Sequence, residues 1–271
     1  MLTVKRTTLA VLMASGLLSG MVNAAENAGE VVTSAGVFTP AQEARIGEVA
    51  KDYLLAHPEV LVEVSQKLQA QQQEKQQQVM TTAVIEHQAA LLNDKGTPSY
   101  GPADAKVTVV EFFDYQCIYC ARLAPELEKV IKANPGVRFV FKEFPIFGSR
   151  WPASLTAAKT GLQIYQQKGS EAYLQYHNAV YATGHNEGKL TADDINSAAK
   201  AVKFDVETAP DVQGTLDGIN TLAQQVGFSG TPALVVLPST NASADNVTVI
   251  PGFTDGETLN AAIQKAAGGI R

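Results

Sequence analysis

Apolar residues near the start of the chain recur at intervals of three and four, the spacing of an amphipathic helix. Ile46, Val49 and Tyr53 fall on one face of a first predicted helix. This helix is predicted to begin at Thr39, with a capping box and a proline at the first helical position, and to end near Ala56. Because a lone amphipathic helix is marginally stable in water, the stripe needs a partner surface.

A second helical stretch follows His57-Pro58 and includes a glutamine-rich segment, residues 69–78. Disorder is the alternative for that segment, but Gln, Glu and Lys favour helix. The periodic positions are Leu61, Val64 and Leu68 before the segment and Met80, Val84, His87 and Leu91 after it. The two sets are out of register by two residues, so we expect the helix to bend or fray there. The stripe must cover another copy of the arm or the rest of the chain, and we favour another copy.

The pattern changes after residues 95–105, a linker rich in Gly and Pro. Residues 107–113 are a nearly continuous run of β-branched and aromatic residues, typical of a central strand in a parallel sheet. Helical spacing follows the two cysteines, and residues 138–144 form a second strand. Strand, helix and strand in this order predict a right-handed βαβ unit.

Helical patterns dominate residues from about 150 to 205. Strands at residues 233–237 and 247–250 then form an antiparallel hairpin, and a helix over residues 257–267 closes the chain. We therefore predict an α/β domain over residues 106–271 with a helical insertion in the middle.

The first 24 residues have the composition of a leader. Lys5 and Arg6 precede an apolar stretch, and small residues allow cleavage after Ala24, so residues 1–24 are interpreted as a secretory signal peptide. A membrane anchor is the alternative, although the apolar stretch is short and rich in Gly and Ser. Cleavage would leave 19 basic and 27 acidic residues, a balance of −8, which argues against nucleic acid as a partner.

The only cysteines, Cys117 and Cys120, are two residues apart and open a helix directly after a buried strand. At a helix N-terminus, free backbone N–H groups stabilise a thiolate, so this is a thioredoxin-type redox arrangement. A structural disulfide would close too small a loop to stabilise the fold. A tetrahedral metal site needs more ligands, and the four histidines (His57, His87, His177 and His185) show no ligand spacing. We predict no metal and no cofactor.

Two further features accompany the cysteines. Pro232 follows Thr231 directly before a strand, where a cis proline would leave an edge to which an extended substrate can add. Glu111 and Lys142 each interrupt an apolar strand, and an unpaired charge there would be costly. Either both side chains point outward at the strand ends, or they form a buried pair beneath the cysteines that passes protons.

The segments "TVVEFFDYQCIYC", "PSYGPADAKV" and "SGTPALVV", in this order and with a helical insertion, resemble the DsbA-type branch of the thioredoxin superfamily. The resemblance covers residues 97–271 and implies a thioredoxin fold. It also implies that Cys117 attacks, Cys120 resolves the mixed disulfide, Pro232 is the cis proline and Glu111 is the buried acid.

The arm, residues 25–94, resembles that of the oligomeric periplasmic members called ScsC and BcfH, whose arms form trimers. Two departures from the common family pattern, Ile118-Tyr119 between the cysteines and Thr231 before the proline, point to a weaker oxidant. The leading hypothesis is a periplasmic disulfide isomerase that acts on misfolded or reduced exported proteins. A membrane reductase of the DsbD or ScsB type would keep it reduced.

Two alternatives remain. The first is a dithiol oxidase that donates its own disulfide to exported proteins, and its reduction potential would separate it from an isomerase. The second is a Cu(I)-binding protein for copper tolerance, since two thiolates suit a soft ion. Copper bound per folded chain would decide that case.

Overall fold

A computed structural model of the protein describes residues 37–268, and the predicted signal peptide lies outside them. The chain divides into two compact units between Val62 and Glu63. Within the described range, no helix is long and apolar enough to cross a membrane. The helices are α1 (Pro40–Ala56), α2 (Glu59–Glu86), α3 (Gln88–Leu92), α4 (Ile118–Ala133), α5 (Pro152–Lys168), α6 (Ser170–Ala182), α7 (Ala192–Ala201), α8 (Gln213–Gln225) and α9 (Gly256–Ala266). The strands are β1 (Ser99–Tyr100), β2 (Val107–Phe113), β3 (Arg138–Glu143), β4 (Ala233–Pro238) and β5 (Thr248–Pro251).

Helix α1 begins and ends where the sequence predicts. The Thr39 side chain accepts a hydrogen bond from the Gln42 backbone, and the Gln42 side chain accepts one from the Thr39 backbone. The apolar stripe of Ile46, Val49 and Tyr53 is about half exposed. This helix therefore presents an uncovered apolar face, as its spacing indicates.

The glutamine-rich segment, residues 69–78, is helical throughout as part of α2, so the fraying expected there is wrong. The two apolar sets of α2 differ in burial. Leu61, Val64 and Leu68 are exposed, whereas Met80 and Val84 are buried in a hydrophobic core with residues of β2 and β4. The register shift is the reason, since it places the second set on another face of the helix.

Five strands form one sheet in the order β1-β3-β2-β4-β5. The β2 and β3 strands are parallel and are joined through α4, which confirms the predicted βαβ unit. The β4 and β5 strands are antiparallel, which confirms the hairpin, and β4 also pairs antiparallel with β2. The two-residue strand β1 was not predicted. It lies in the expected linker and pairs antiparallel with β3 at the sheet edge.

Each face of the sheet has its own core. Val109 and Phe113 of β2 pack with α4, α9 and the insertion helices α5 to α7, while Val110 and Phe112 point to the opposite face. That second face is covered by α3, α8 and the C-terminal end of α2. Successive side chains of β2, which is buried along its whole length, point to opposite faces of the sheet and so contribute in turn to the two hydrophobic cores.

Lys142 points to the second face, away from Glu111. In the ladder Glu111 lies opposite Phe141 and Phe112 lies opposite Lys142, so the two charges are on different faces. The expected Glu111–Lys142 pair is therefore wrong. The Lys142 Nζ instead lies 3.2 Å from Asp94 Oδ2 and donates hydrogen bonds to the Thr97 hydroxyl and the Ala90 carbonyl.

Asp94 is thus a structural partner of a buried lysine. Burial acts to raise the pKa of this carboxyl, but the Thr97 hydrogen bond and the Lys142 charge outweigh it and lower the pKa. Burial has the larger effect on Lys142 and lowers its pKa. The ion pair holds the segment after α3, which contains Asp94, against β3 of the sheet.

Replacing Asp94 by alanine leaves the Lys142 ammonium buried without its carboxylate. We expect a loss of about 2 kcal/mol in the free energy of unfolding, below the usual figure for a fully buried pair because Asp94 is partly exposed. Urea denaturation of the reduced protein measures it. The control is Glu128→Ala, which breaks the exposed pair with Lys132 and should change stability by less than about 0.5 kcal/mol. Equal losses in both variants would contradict the assignment.

Candidate active site

Cys117 and Cys120 lie at the start of α4, directly after β2 and a short turn. Cys117 is the N-cap residue, and its sulfur makes no capping hydrogen bond to the helix. Cys120 is one turn into the helix and fully buried, whereas Cys117 is 5% exposed. Both are free thiols. The unpaired N–H groups of the first helical turn therefore lie near the Cys117 sulfur without being capped by it.

The proline segment reaches the same sulfur from the other side. The Thr231–Pro232 peptide bond is cis, as expected. The Thr231 carbonyl oxygen lies 3.2 Å from Cys117 Sγ and accepts its hydrogen bond. Residues 114 positions apart in the sequence thus form one site.

The two thiols have opposite acidities. The pKa of Cys117 is lowered from its ordinary value to about 6, chiefly by a hydrogen bond from the Cys120 thiol, with the backbone N–H groups of Cys120 and Tyr119 adding to it. Burial raises the pKa of Cys120 well above its ordinary value, and the nearby Cys117 charge raises it further. At neutral pH the site therefore holds one thiolate and one thiol.

Glu111 lies on the same face of the sheet as the cysteines. It is 3% exposed, and its Oε2 has no hydrogen-bond partner in the described part of the chain. Burial, followed by the Cys117 charge, raises its pKa to about 8. A carboxyl with this pKa can exchange a proton with its surroundings near neutral pH. Lys142, the other predicted acid–base residue, is absent from this face.

Asp114 organises the turn before the cysteines, and the sequence analysis missed it. Its buried carboxylate accepts hydrogen bonds from the backbone of Gln116 and Phe147 and, at 2.7 Å, from the Ser154 hydroxyl. The β2–α4 turn is thereby attached to the loop that precedes the insertion. An acidic residue directly after a buried strand was the available signal, but its partners come from distant segments.

A second missed group lies beneath the insertion. The Glu143 carboxyl is buried and accepts hydrogen bonds from the Tyr115 and Tyr173 hydroxyls at 3.1 and 3.0 Å. Burial raises its pKa well above the ordinary range. The neighbouring His177 is buried among aromatic rings, and burial lowers its pKa to about 4. The His177 imidazole is therefore neutral at physiological pH, and both groups join the insertion to the sheet.

The remaining histidines stand apart from the sulfurs. His57 and His185 are exposed and make local contacts with Glu59 and Asp194, and His87 is partly buried at the end of α2. Residues 37–268 contain no cluster of three or more His, Cys, Asp or Glu side chains that could hold a metal ion.

Two family models match the chain. The model described as "Thioredoxin" matches residues 93–259, and the model described as "Copper resistance protein ScsC N-terminal domain" matches residues 42–75. The first contains the sheet, the insertion and both cysteines. The second contains most of α1 and the first part of α2.

Solved structures resemble the chain over most of its length. The chain is 46% identical to BcfH from Salmonella enterica Typhimurium. The match covers 83% of this chain and 96% of BcfH and has a TM-score of 0.73. ScsC from Proteus mirabilis in a transitional conformation is 28% identical, with coverage of 86% and 98% and a TM-score of 0.59. The likeness thus extends over nearly the full length of both neighbours.

Curated relatives match over shorter stretches. The thiol:disulfide interchange protein DsbA of Bordetella pertussis is 29% identical over 145 residues, which are 50% of this chain and 66% of that protein. The Na(+)/H(+) antiporter NhaA 1 of Salinispora arenicola is 25% identical over 177 residues, 63% of this chain and 25% of that protein. The chain therefore spans about a quarter of the length of this antiporter.

The fold and the paired thiols define a thioredoxin-fold protein with a dithiol site at a helix N-terminus. The chain belongs to the thioredoxin family, is similar to BcfH and to DsbA-type proteins, and has an N-terminal region that matches the ScsC N-terminal domain.

The hydrogen bond from Cys120 should set the acidity of Cys117. We expect the rate of Cys117 alkylation by iodoacetamide to rise with pH about a midpoint near 6. Cys120→Ala removes the donor and should move the midpoint upward, while Cys120→Ser keeps a hydroxyl donor and should move it less. Midpoints in both variants equal to that of the wild-type protein would show that the Cys120 thiol does not lower the pKa of Cys117.

Glu111 should make stability depend on pH. Its pKa in the folded protein, about 8, lies above the ordinary 4.5, so the folded state holds a proton that the unfolded state releases. The stabilisation is fully present below pH 4.5 and is lost as pH rises through 8. Between pH 6 and 8 the wild-type protein should lose about 2 kcal/mol more than Glu111→Gln. Denaturant titrations of both reduced proteins measure this, and parallel stability curves would refute it.

Proposed function

We propose that this protein is a thiol:disulfide oxidoreductase that acts mainly as a disulfide isomerase on exported proteins. The observation that carries the proposal is the unequal thiol pair, with an acidic Cys117 at the helix N-terminus and a buried, protonated Cys120. Such a pair supplies a nucleophile at neutral pH while its partner is held in reserve.

In the first step the Cys117 thiolate attacks one sulfur of a substrate disulfide. A mixed disulfide forms between Cys117 and that sulfur, and the other substrate sulfur leaves as a thiolate. In isomerisation, another substrate thiolate attacks the mixed disulfide, the substrate gains a new disulfide and Cys117 returns as a thiolate. No electrons are gained or lost overall.

A reductive route uses the second cysteine. Cys120 loses its proton, attacks the Cys117 sulfur, releases the substrate as a thiolate and forms the Cys117–Cys120 disulfide. Two electrons then pass from the protein to the substrate, so a dithiol reductase must restore the thiols. The Cys117 charge that helps to raise the Glu111 pKa is absent in the mixed disulfide, so at this stage the ionised Glu111 carboxylate, on the cysteine face, can accept the Cys120 proton.

Several features favour isomerisation over oxidation. A pKa of about 6 for Cys117 lies between the values of about 3.5 for a strongly oxidising relative and about 7 for a reducing thioredoxin. A less stabilised thiolate gives a weaker oxidant. Ile118-Tyr119 provides no imidazolium between the cysteines, and Thr231 precedes the cis proline.

The arm suits self-association. Ile46, Val49 and Tyr53 of α1 are exposed on one face, and so are Leu61, Val64 and Leu68 of α2. A second copy, in a trimer, would cover such stripes by helix pairing. Several active sites on one assembly could then act on one misfolded chain. The proposal includes the predicted division into a signal peptide (residues 1–24), an arm (residues 25–94), a linker (residues 95–105) and an α/β domain (residues 106–271).

The proposed location is the periplasm, with cleavage after Ala24. The leader composition supports it, as does the likeness to a structure described as a periplasmic thioredoxin-like protein from Salmonella enterica serovar Typhimurium, 30% identical with a TM-score of 0.55. The proposed partners are reduced or misfolded exported proteins and a membrane reductase of the DsbD or ScsB type.

Two other functions have some support. The lowered pKa of Cys117 also fits a dithiol oxidase. The N-terminal family match carries the description of a copper resistance protein, which keeps Cu(I) binding by the two thiolates as an alternative.

The decisive measurement is recovery of activity by a scrambled disulfide-bonded protein, together with the oligomeric state of the enzyme by light scattering. The double variant Ile46→Glu/Val49→Glu places charges in the α1 stripe and leaves the second compact unit intact. We expect it to become monomeric and to lose at least about tenfold in isomerase rate while it still oxidises a reduced peptide. The wild-type protein should refold the substrate.

Lys51→Glu on the same helix is the control, and it should keep both the assembly and the activity. A monomeric wild-type protein would refute self-association. A wild-type protein that oxidises the peptide quickly but never refolds the scrambled substrate would be an oxidase.

A further inference from the structure

A cavity of about 280 Å³ lies between α2 and the segment that carries the cis proline. Its walls are Gln76 and Met80 of α2, residues 227–233, and Pro251 with Gly252 after β5. Pockets for whole small molecules measure about 300 to 1,000 Å³. This volume is closer to that of one or two side chains than to that of a large cofactor.

The cavity adjoins the reactive sulfur. Thr231 lines it, and the Thr231 carbonyl oxygen is 3.2 Å from Cys117 Sγ. The backbone N–H groups of Ser229, Gly230 and Thr231 donate no hydrogen bond within the described residues, and Ser229 and Gly230 are exposed. A substrate segment can therefore pair with this edge while one of its side chains enters the cavity.

The α2 wall is held in place without a ligand. Met80 is 4% exposed, and a Cβ at Gly227, where φ is +84°, would lie 3.4 Å from Met80 Cγ. Gln77 directly follows the wall residue Gln76, and its side-chain amide donates a 2.9 Å hydrogen bond to the Val249 carbonyl. These contacts fix α2 beside the proline segment, so the cavity is preformed.

The chemistry of the walls selects an uncharged guest. None of the residues that line the cavity carries a charge. Met80 offers an apolar surface, and the exposed Gln76 amide offers one hydrogen-bond donor group and one acceptor. A charged side chain would lose its hydration there without gaining a partner.

We propose that this cavity is a specificity subsite, in which Gln76 and Met80 bind one uncharged side chain of the substrate segment attached to Cys117. The inference rests on the proposed thiol exchange and adds α2 to the groups that choose the substrate. An extended segment rises about 3.3 Å per residue, so the bound residue lies within about two positions of the substrate cysteine.

Gln76→Trp would fill the cavity from an exposed position and tests the inference in the full chain. With a set of peptide disulfides that vary at the two positions on either side of the cysteine, we expect kcat/KM to fall by about tenfold for the best wild-type substrates. The rate with glutathione disulfide should change by less than about twofold, because its cysteine is flanked by a γ-linked glutamate and a glycine, which offer no uncharged side chain to the cavity. Gln78→Trp, on the same helix but outside the cavity, should change neither rate.

Gln76→Glu gives an independent readout, because a carboxylate at the wall should shift the preferred peptide toward one with lysine near the cysteine. Unchanged peptide preference in both Gln76 variants, each with a normal circular dichroism spectrum, would overturn the subsite. A wild-type protein that fails to react even with glutathione disulfide would instead refute the proposed function itself.

Discussion

The whole site depends on keeping one negative charge on a sulfur at the edge of an apolar core. Cys117 can hold that charge because it is the N-cap residue of α4, near the first-turn amides, and because the Cys120 thiol donates a hydrogen bond that lowers its pKa. The same burial that isolates the site keeps Cys120 and Glu111 protonated. The negative charge on Cys117 and the protonated states of Cys120 and Glu111 therefore have the same structural origin.

The sheet makes this arrangement possible by separating two kinds of buried charge. On the cysteine face, burial and the Cys117 charge raise the pKa of Glu111 to about 8, so it stays a weak acid near neutral pH. On the opposite face, Lys142 is paired with Asp94 and serves stability. If the two charges had faced each other, Glu111 would have been held ionised and could not exchange a proton.

Helix α2 has two sets of apolar residues that differ in exposure. Its first apolar set is exposed, while its second set is part of the core that covers the sheet. The same end of the helix forms a wall beside Thr231. Residues as early as Met80 therefore belong to the core of the second compact unit.

Local signals predicted much of this protein correctly. The capping box at Thr39, the β2–α4–β3 order, the hairpin and the place of Cys117 at a helix start all follow from short-range patterns, because propensity, capping and periodicity act within a few residues. The resemblance of three separated motifs added the cis bond before Pro232.

Only the tertiary structure decided how distant groups pair. The alternation of β2 and β3 showed which charges interrupt the strands, but the register between them placed Glu111 and Lys142 on opposite faces. Asp94, Asp114 and Glu143 meet their partners from segments that are far away in the sequence or lie in the insertion. The sequence by itself determined the elements and the reactive pair, whereas the environment of each buried charge was set by packing, since a side chain's partners depend on which elements share its face.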